Sequence, residues 1–219
     1  MPRMFDRVVK LDRGVKDGDN PSMAGTKQFD EDEVLDRALL LFWRRGFGPT
    51  SMQDLAQATG VLRGSLYHAY GDKQALFLRV FERYRTRFLA SVRAALDAPT
   101  AEEALRRYLR FAIETVTAVD DDEVTRGCLT TKTATDETAM DDAIRATLRG
   151  LLDSVQQLLA ERLAQPDGVG RLALPPAAAA RLITTTTRGM VVLERVYRDV
   201  TQLQAIADDL LSLLFSRQA

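Results

Sequence analysis

Thr50–Lys73 reads TSMQDLAQATGVLRGSLYHAYGDK. Thr50 is placed to cap a short helix, with Gln53 three residues on as in a capping box. That helix turns Met52, Leu55 and Ala56 inward and ends before Gly60. A second short helix is predicted over Leu62–Ala69, so the interval between the two is three or four residues centred on Gly60. On the C-terminal side a long helix starts near Asp72, with Leu76, Val80, Tyr84 and Phe88 in one i,i+4 stripe and Phe77 and Phe81 beside it. On the N-terminal side, apolar residues recur at helical spacing between Asp30 and Gly46: Val34, Ala38, Leu41 and Leu35, Leu39, Phe42. Two short helices joined this tightly and braced on both sides make a helix-turn-helix unit.

The rest of the chain is also helical in pattern. Amphipathic segments are predicted at about 101–119, 125–135, 139–164, 175–198 and 202–216. The acidic run Asp120–Glu123 interrupts them, and residues 165–170 form a surface loop. The fold class is therefore all-α, with about nine helices. The first 26 residues have mixed charge and no apolar signal core, and read as a disordered leader, with Met23 a candidate start. The expected organisation is a helix-turn-helix domain at 27–73, the long helix 72–90 as connector, and a second helical domain at 91–219.

Composition narrows the function. Net charge is −1, but residues 27–90 carry 10 Lys/Arg against 8 Asp/Glu while residues 91–219 carry 15 against 19. That asymmetry permits nucleic-acid contact at the N-terminal end only. Cys128 is the only cysteine, which excludes an internal disulfide and suits the reducing cytoplasm. No apolar run reaches the length of a membrane span. His68, the only histidine, has no second histidine to share a metal, and nothing completes a triad with Cys128. There is no glycine-rich nucleotide loop, so no metal, no cofactor and no enzymatic activity is expected.

DNA contact needs what the short second helix offers. Its polar face carries Arg63, Gly64, Ser65, Tyr67 and His68, while Leu66 and Val61 face the core. In a major groove such a helix presents donors from its first turn, Arg63 being the candidate for bidentate guanine contact. Thr50, Ser51 and Lys73, at flanking helix starts, are placed to hold backbone phosphates.

The stretch Ala38–Phe77, ALLLFWRRGFGPTSMQDLAQATGVLRGSLYHAYGDKQALF, closely resembles the DNA-binding domain of the TetR/AcrR family of bacterial transcriptional regulators. Leu41, Phe42, Gly46, Phe47, Thr50, Ser51, Leu55, Ala56, Gly60, Val61, Gly64, Leu66, Tyr67, Tyr70, Lys73 and Leu76 match its pattern in order. The resemblance implies that Tyr67 and Lys73 bind phosphates, with His68 helping or contacting a base edge. Two letters depart from the family: Leu62 stands where a capping serine is usual, and Ala69 replaces a larger polar residue. The segment RGCLTTKTATD, 126–136, is similar to a stretch of one branch that lies in the ligand-binding domain.

The resemblance also implies a homodimer through helices 175–198 and 202–216, double-stranded operator DNA as partner, and release by a small apolar or aromatic effector. Tyr108, Phe111, Ile113, Cys128, Met140, Ile144 and Met190 are the candidate pocket residues, although most such positions in helices are core. Two other classes stay open: an architectural, non-specific DNA binder, and an all-helical enzyme on the same scaffold.

Overall fold

The computed structural model describes residues 29–119, 127–139, 141–168 and 171–215. The expected leader, the acidic run 120–123 and Met140 lie outside them. Nine α-helices and no strand are found among the described residues: α1 (Glu31–Arg45), α2 (Met52–Thr59), α3 (Arg63–Tyr70), α4 (Lys73–Leu96), α5 (Ala101–Thr117), α6 (Leu129–Ala134), α7 (Asp142–Leu163), α8 (Pro176–Tyr197) and α9 (Val200–Leu214).

The helix ends follow local chemistry. Asp30 accepts from the Asp32 and Glu33 amides at 2.9 and 3.3 Å, and Arg44 and Arg45 occupy the last turn of α1. Both ends thus complement the helix dipole. Helix α4 ends at Leu96, so the connector expected at 72–90 runs one and a half turns further, and the boundary drawn after residue 90 falls inside a continuous helix. The reason is in the sequence: Val92, Ala95 and Leu96 continue the buried stripe of Tyr84, Phe88 and Leu89.

Helix α4 packs on α1 at its N-terminal half and on α5 and α7 further along. Its apolar face joins the small N-terminal core to the larger one without a break. Phe42 meets Phe77 edge-on at 5.1 Å, and Trp43 meets Tyr84 edge-on at 5.2 Å. At the other end Arg162 of α7 donates to Leu96 O at 3.3 Å and Ala98 O at 2.9 Å, pinning the α4–α5 turn.

One polar cluster crosses the α1–α4 interface. Asp36 is 5 % exposed, accepts from Arg83 Nε at 2.7 Å and from Arg87 Nη1 at 2.6 Å, and is bonded by both guanidiniums at its second oxygen. Burial pushes the Asp36 carboxyl up, but the hydrogen bonds and charges of Arg83 and Arg87 outweigh it and hold it below its usual value. Asp36→Asn leaves the two cations facing a neutral amide and is expected to cost about 3 kcal/mol, the low end for breaking a buried pair. Urea unfolding at pH 7 checks it. Because the folded-state pKa is depressed, this contribution is present above pH ~4 and fades as pH falls through the lower folded value. The gap between wild type and variant should therefore close below that pH.

Candidate nucleic-acid interface

Helices α2 and α3 are held by α1 and α4, and the turn between them is set by Gly60. At φ +73° Gly60 is left-handed, where its amide closes α2 on Ala56 O at 3.0 Å. Leu66 of α3 is fully buried in the three-helix core, and Tyr70 at the end of the helix packs against that core half-buried.

The outward face of α3 is the one expected. Arg63, Gly64, Tyr67 and His68 are exposed and Ser65 is half-buried. The Arg63 guanidinium lies 5.4 Å from the centre of the Tyr67 ring, with Nη2 3.4 Å from its hydroxyl. A Cβ on Gly64 would meet nothing within 4 Å, so the chain's own packing does not demand glycine there. Leu62 precedes α3 with no side-chain cap and is 79 % exposed.

The phosphate-holding expectations fare unevenly. Ser51, not Thr50, caps α2: the Asp54 amide donates to Ser51 Oγ at 3.1 Å and the Ser51 amide to Asp54 Oδ2 at 2.9 Å. The capping box thus closes on Asp54 rather than Gln53. Thr50 is one residue too early; it is 1 % exposed and donates its hydroxyl to Gly46 O at 2.7 Å, tightening the α1–α2 loop. Lys73 turns back to the same loop, where Nζ donates to Phe47 O at 2.9 Å and Gly48 O at 3.3 Å and sits 4.2 Å over the Phe47 ring. Burial lowers its pKa, opposed by the charge of Asp136. In this conformation Lys73 braces the loop. Of the three, Ser51 is the exposed side chain at a helix start, and Arg45 Nη1 lies 2.9 Å from its partner Asp54.

Of the pocket candidates, Phe111 packs on Phe88 at 5.6 Å, and Ile144 and Met190 are core residues. A groove of about 400 Å³ between α5 and α9 takes only Ile113 from the set. Tyr108 and Cys128 sit in surroundings that sequence reasoning missed: they share a buried polar cluster with Arg188 of α8, whose Nη1 donates to Cys128 Sγ at 3.0 Å.

Comparison with known proteins follows the same division. Residues 34–80 match the model of bacterial regulatory proteins of the tetR family, and residues 92–209 match the C-terminal domain of LmrA/YxaF-like transcriptional regulators. The chain is 30 % identical to the HTH-type transcriptional repressor ComR of Escherichia coli K12, covering 85 % of this chain and 90 % of that one. This protein belongs to the TetR family of transcriptional regulators. It is 29 % identical to the HTH-type regulator YezE of Bacillus subtilis over 88 % of its own length and all of that protein's. Among solved structures, a cysteine-substituted TetR family regulator CifR bound to a 26-base-pair operator duplex is 28 % identical, with a TM-score of 0.76 over 87 % of this chain and 100 % of that one. The helix-turn-helix is thus the DNA-binding part of a transcriptional regulator.

The capping assignment has a direct check. Ser51→Ala should lower stability by about 1 kcal/mol, the usual worth of an N-cap hydroxyl, whereas Gln53→Ala should change it by less than about 0.5 kcal/mol. Thermal unfolding of the two variants separates them.

Proposed function

We propose that this TetR family member is a cytoplasmic repressor that binds a palindromic operator as a homodimer and is released by a small effector held in its helical domain; it carries out no catalysis of its own. The observation that carries the reading is the polar, exposed face of α3. Arg63 is released from Tyr67 to reach a guanine edge. Tyr67 and Ser51 hold phosphates, with the free amides at the start of α2, and His68 lies beside them. Gly64 leaves room for close approach of the groove wall, Ser65 borders the contact, and Leu62 supplies an apolar contact to thymine. Thr50 and Lys73 act indirectly, by fixing the loop that aims α2 and α3.

One helix-turn-helix makes too few contacts for high affinity, so two copies must read half-sites about 34–36 Å apart. The surface for that pairing is on α8 and α9. Val192 and Val196 are 54 % and 68 % exposed at i,i+4 spacing on α8, with Tyr197 at 60 % and Val200 at the same end, and Leu213 is exposed at the other end of α9. Gly189, three residues before Val192, has open space around its Cα, which permits two helices to approach closely. Val192 and Val196 replaced together by Glu should convert the dimer to a monomer in sedimentation without unfolding it. No helix among the described residues is long and apolar enough to cross a membrane, and no described group of His, Cys, Asp and Glu could hold a metal.

The effector is expected to carry oxygen functions rather than hydrocarbon alone, because the buried cluster at Tyr108 and Cys128 is polar. The decisive experiment for DNA reading is a mobility shift with the DNA upstream of the gene and its neighbours. Arg63→Ala should lose about 10- to 100-fold in affinity for the specific fragment and little for random DNA, as fits the roughly 1–3 kcal/mol of a bidentate base contact. Equal losses on both would make Arg63 a phosphate contact and the protein a non-specific binder.

A further inference from the structure

Residues 127–139 run from the second domain to the α1–α2 loop. Their first end is rooted in that domain: Cys128 is buried, its sulfur accepting from Arg188 Nη1 of α8 at 3.0 Å, and Leu129 and Thr133 are fully out of solvent. Two charges follow, so that Cys128, Lys132 and Asp136 are spaced four apart. Lys132 Nζ donates to Trp43 O and, at 3.0 Å, to Arg44 O, placing a cation on the open carbonyls at the end of α1. Gly127 O accepts from the buried Trp43 Nε1 at 3.2 Å. This short strap therefore holds the last turn of α1 before Asp136 meets the loop.

Asp136 uses both of its oxygens. Oδ1 accepts from the Thr138 amide at 3.0 Å and the Thr138 hydroxyl at 2.6 Å, which leaves Oδ2 for the Gly48 amide, 2.7 Å away. Three donors on two oxygens suit an ionised carboxylate and not the isosteric amide of asparagine, which has one accepting oxygen. Burial pushes the Asp136 carboxyl up, but the Thr138 hydroxyl, the Gly48 and Thr138 amides and the charge of Lys73 outweigh it and hold it below its usual value. Gly48 is shaped for this contact. It lacks the positive φ of Gly46 and Gly60, so its backbone would accept a side chain. Yet a Cβ there would collide with Thr138 Oγ1 and stand 2.9 Å from Asp136 Oδ2. The space a side chain would need is where the carboxylate sits. Ser51, the cap of α2, follows three residues on, and Lys73 holds the carbonyls of Phe47 and Gly48.

We propose that Asp136 is a positioning residue for DNA binding: from the second domain it fixes the α1–α2 loop, and with it the start of α2, in the pose that meets the operator backbone. This rests on the reading of α2 and α3 as the DNA-reading head. A loop that is already fixed has no ordering cost left to meet on binding, so its release is read as lost affinity rather than as a lost contact. The second domain thus contributes to operator affinity through one carboxylate that does not itself touch DNA.

The probe is a duplex that the full-length wild-type protein selects from a random pool. Asp136→Ala should bind it about 10-fold more weakly, the scale of the ordering cost returned to the loop. The slope of log Kd against log salt should stay as in wild type, because no phosphate contact is removed. Asp136→Asn fills the same space but turns an NH2 toward one of the donors, and should lose as much. Gly48→Ala should lose a similar factor alone, but less than about 2-fold more when added to Asp136→Ala with Thr138→Ala, where nothing is left to displace. Hydrogen exchange at the amides between 46 and 51 should rise in each variant, with the thermal midpoint down by no more than about 4 °C. Unchanged affinity in Asp136→Ala and Asp136→Asn overturns the proposal. So does a gain, the sign expected if the carboxylate only repelled phosphate. A changed salt slope, or a Gly48→Ala loss that persists in the combined background, overturns it as well. If the wild type selects no duplex, the reading of α2 and α3 as a DNA reader fails and this proposal fails with it.

Discussion

A single carboxylate holds the reading head to the rest of the molecule. Asp36, out of solvent between Arg83 and Arg87, fixes α1 against α4, and α4 is the one helix that belongs to both halves. With α1 placed, Phe42 and Trp43 close on Phe77 and Tyr84, and α2 and α3 have a wall to rest on. A buried ion cluster contributes little net stability compared with apolar packing, but its four directional bonds join α1 to α4 at fixed positions. For a protein that must present one small helix at a defined angle, that restriction matters more than the energy.

The head is then fixed from two further directions. Lys73 reaches back from α4 to the carbonyls of the α1–α2 loop, and Asp136 reaches down from the helical domain to the Gly48 amide of the same loop. Both charges lie near one another, and each perturbs the other's ionisation. The loop 46–50 is therefore the point where the DNA-reading helices, α4 and the α6 strap meet. A change in any of the three is felt at the start of α2, whose amides and Ser51 face the phosphates in the proposed complex.

Much of this was readable from the residues, and what was not has a physical reason. Helix ends written in local chemistry came through: a first helix between Asp30 and Gly46, a second ending before Gly60, and the uncapped start of α3 at Leu62. The outward face of α3 also stood in the sequence, because Leu66 and Tyr70 fall on the side that meets the core and Arg63, Gly64, Tyr67 and His68 do not. The choice between Thr50 and Ser51 as cap did not, since adjacent hydroxyl residues differ only in backbone angles that the loop decides. Lys73 looked like a free cation because its acceptors are carbonyls, which carry no residue type. The end of α4 lies six residues beyond the connector expected at 72–90, because a helix shared by two cores shows no change of pattern there. The partner of Cys128 lies 60 residues away on α8, and a lone arginine among threonines gives no sign of facing a thiol. The four-residue spacing of Cys128, Lys132 and Asp136 was the available signal for the strap.

The account makes α3 a sequence reader working in pairs. Selection of duplexes from a random pool by the purified protein tests that most directly. The expected result is an inverted repeat whose half-site centres lie about one helical turn apart, or a multiple of it, on the same face of the duplex. A selected pool with no symmetry, or one no richer in any sequence than the starting pool, would contradict it.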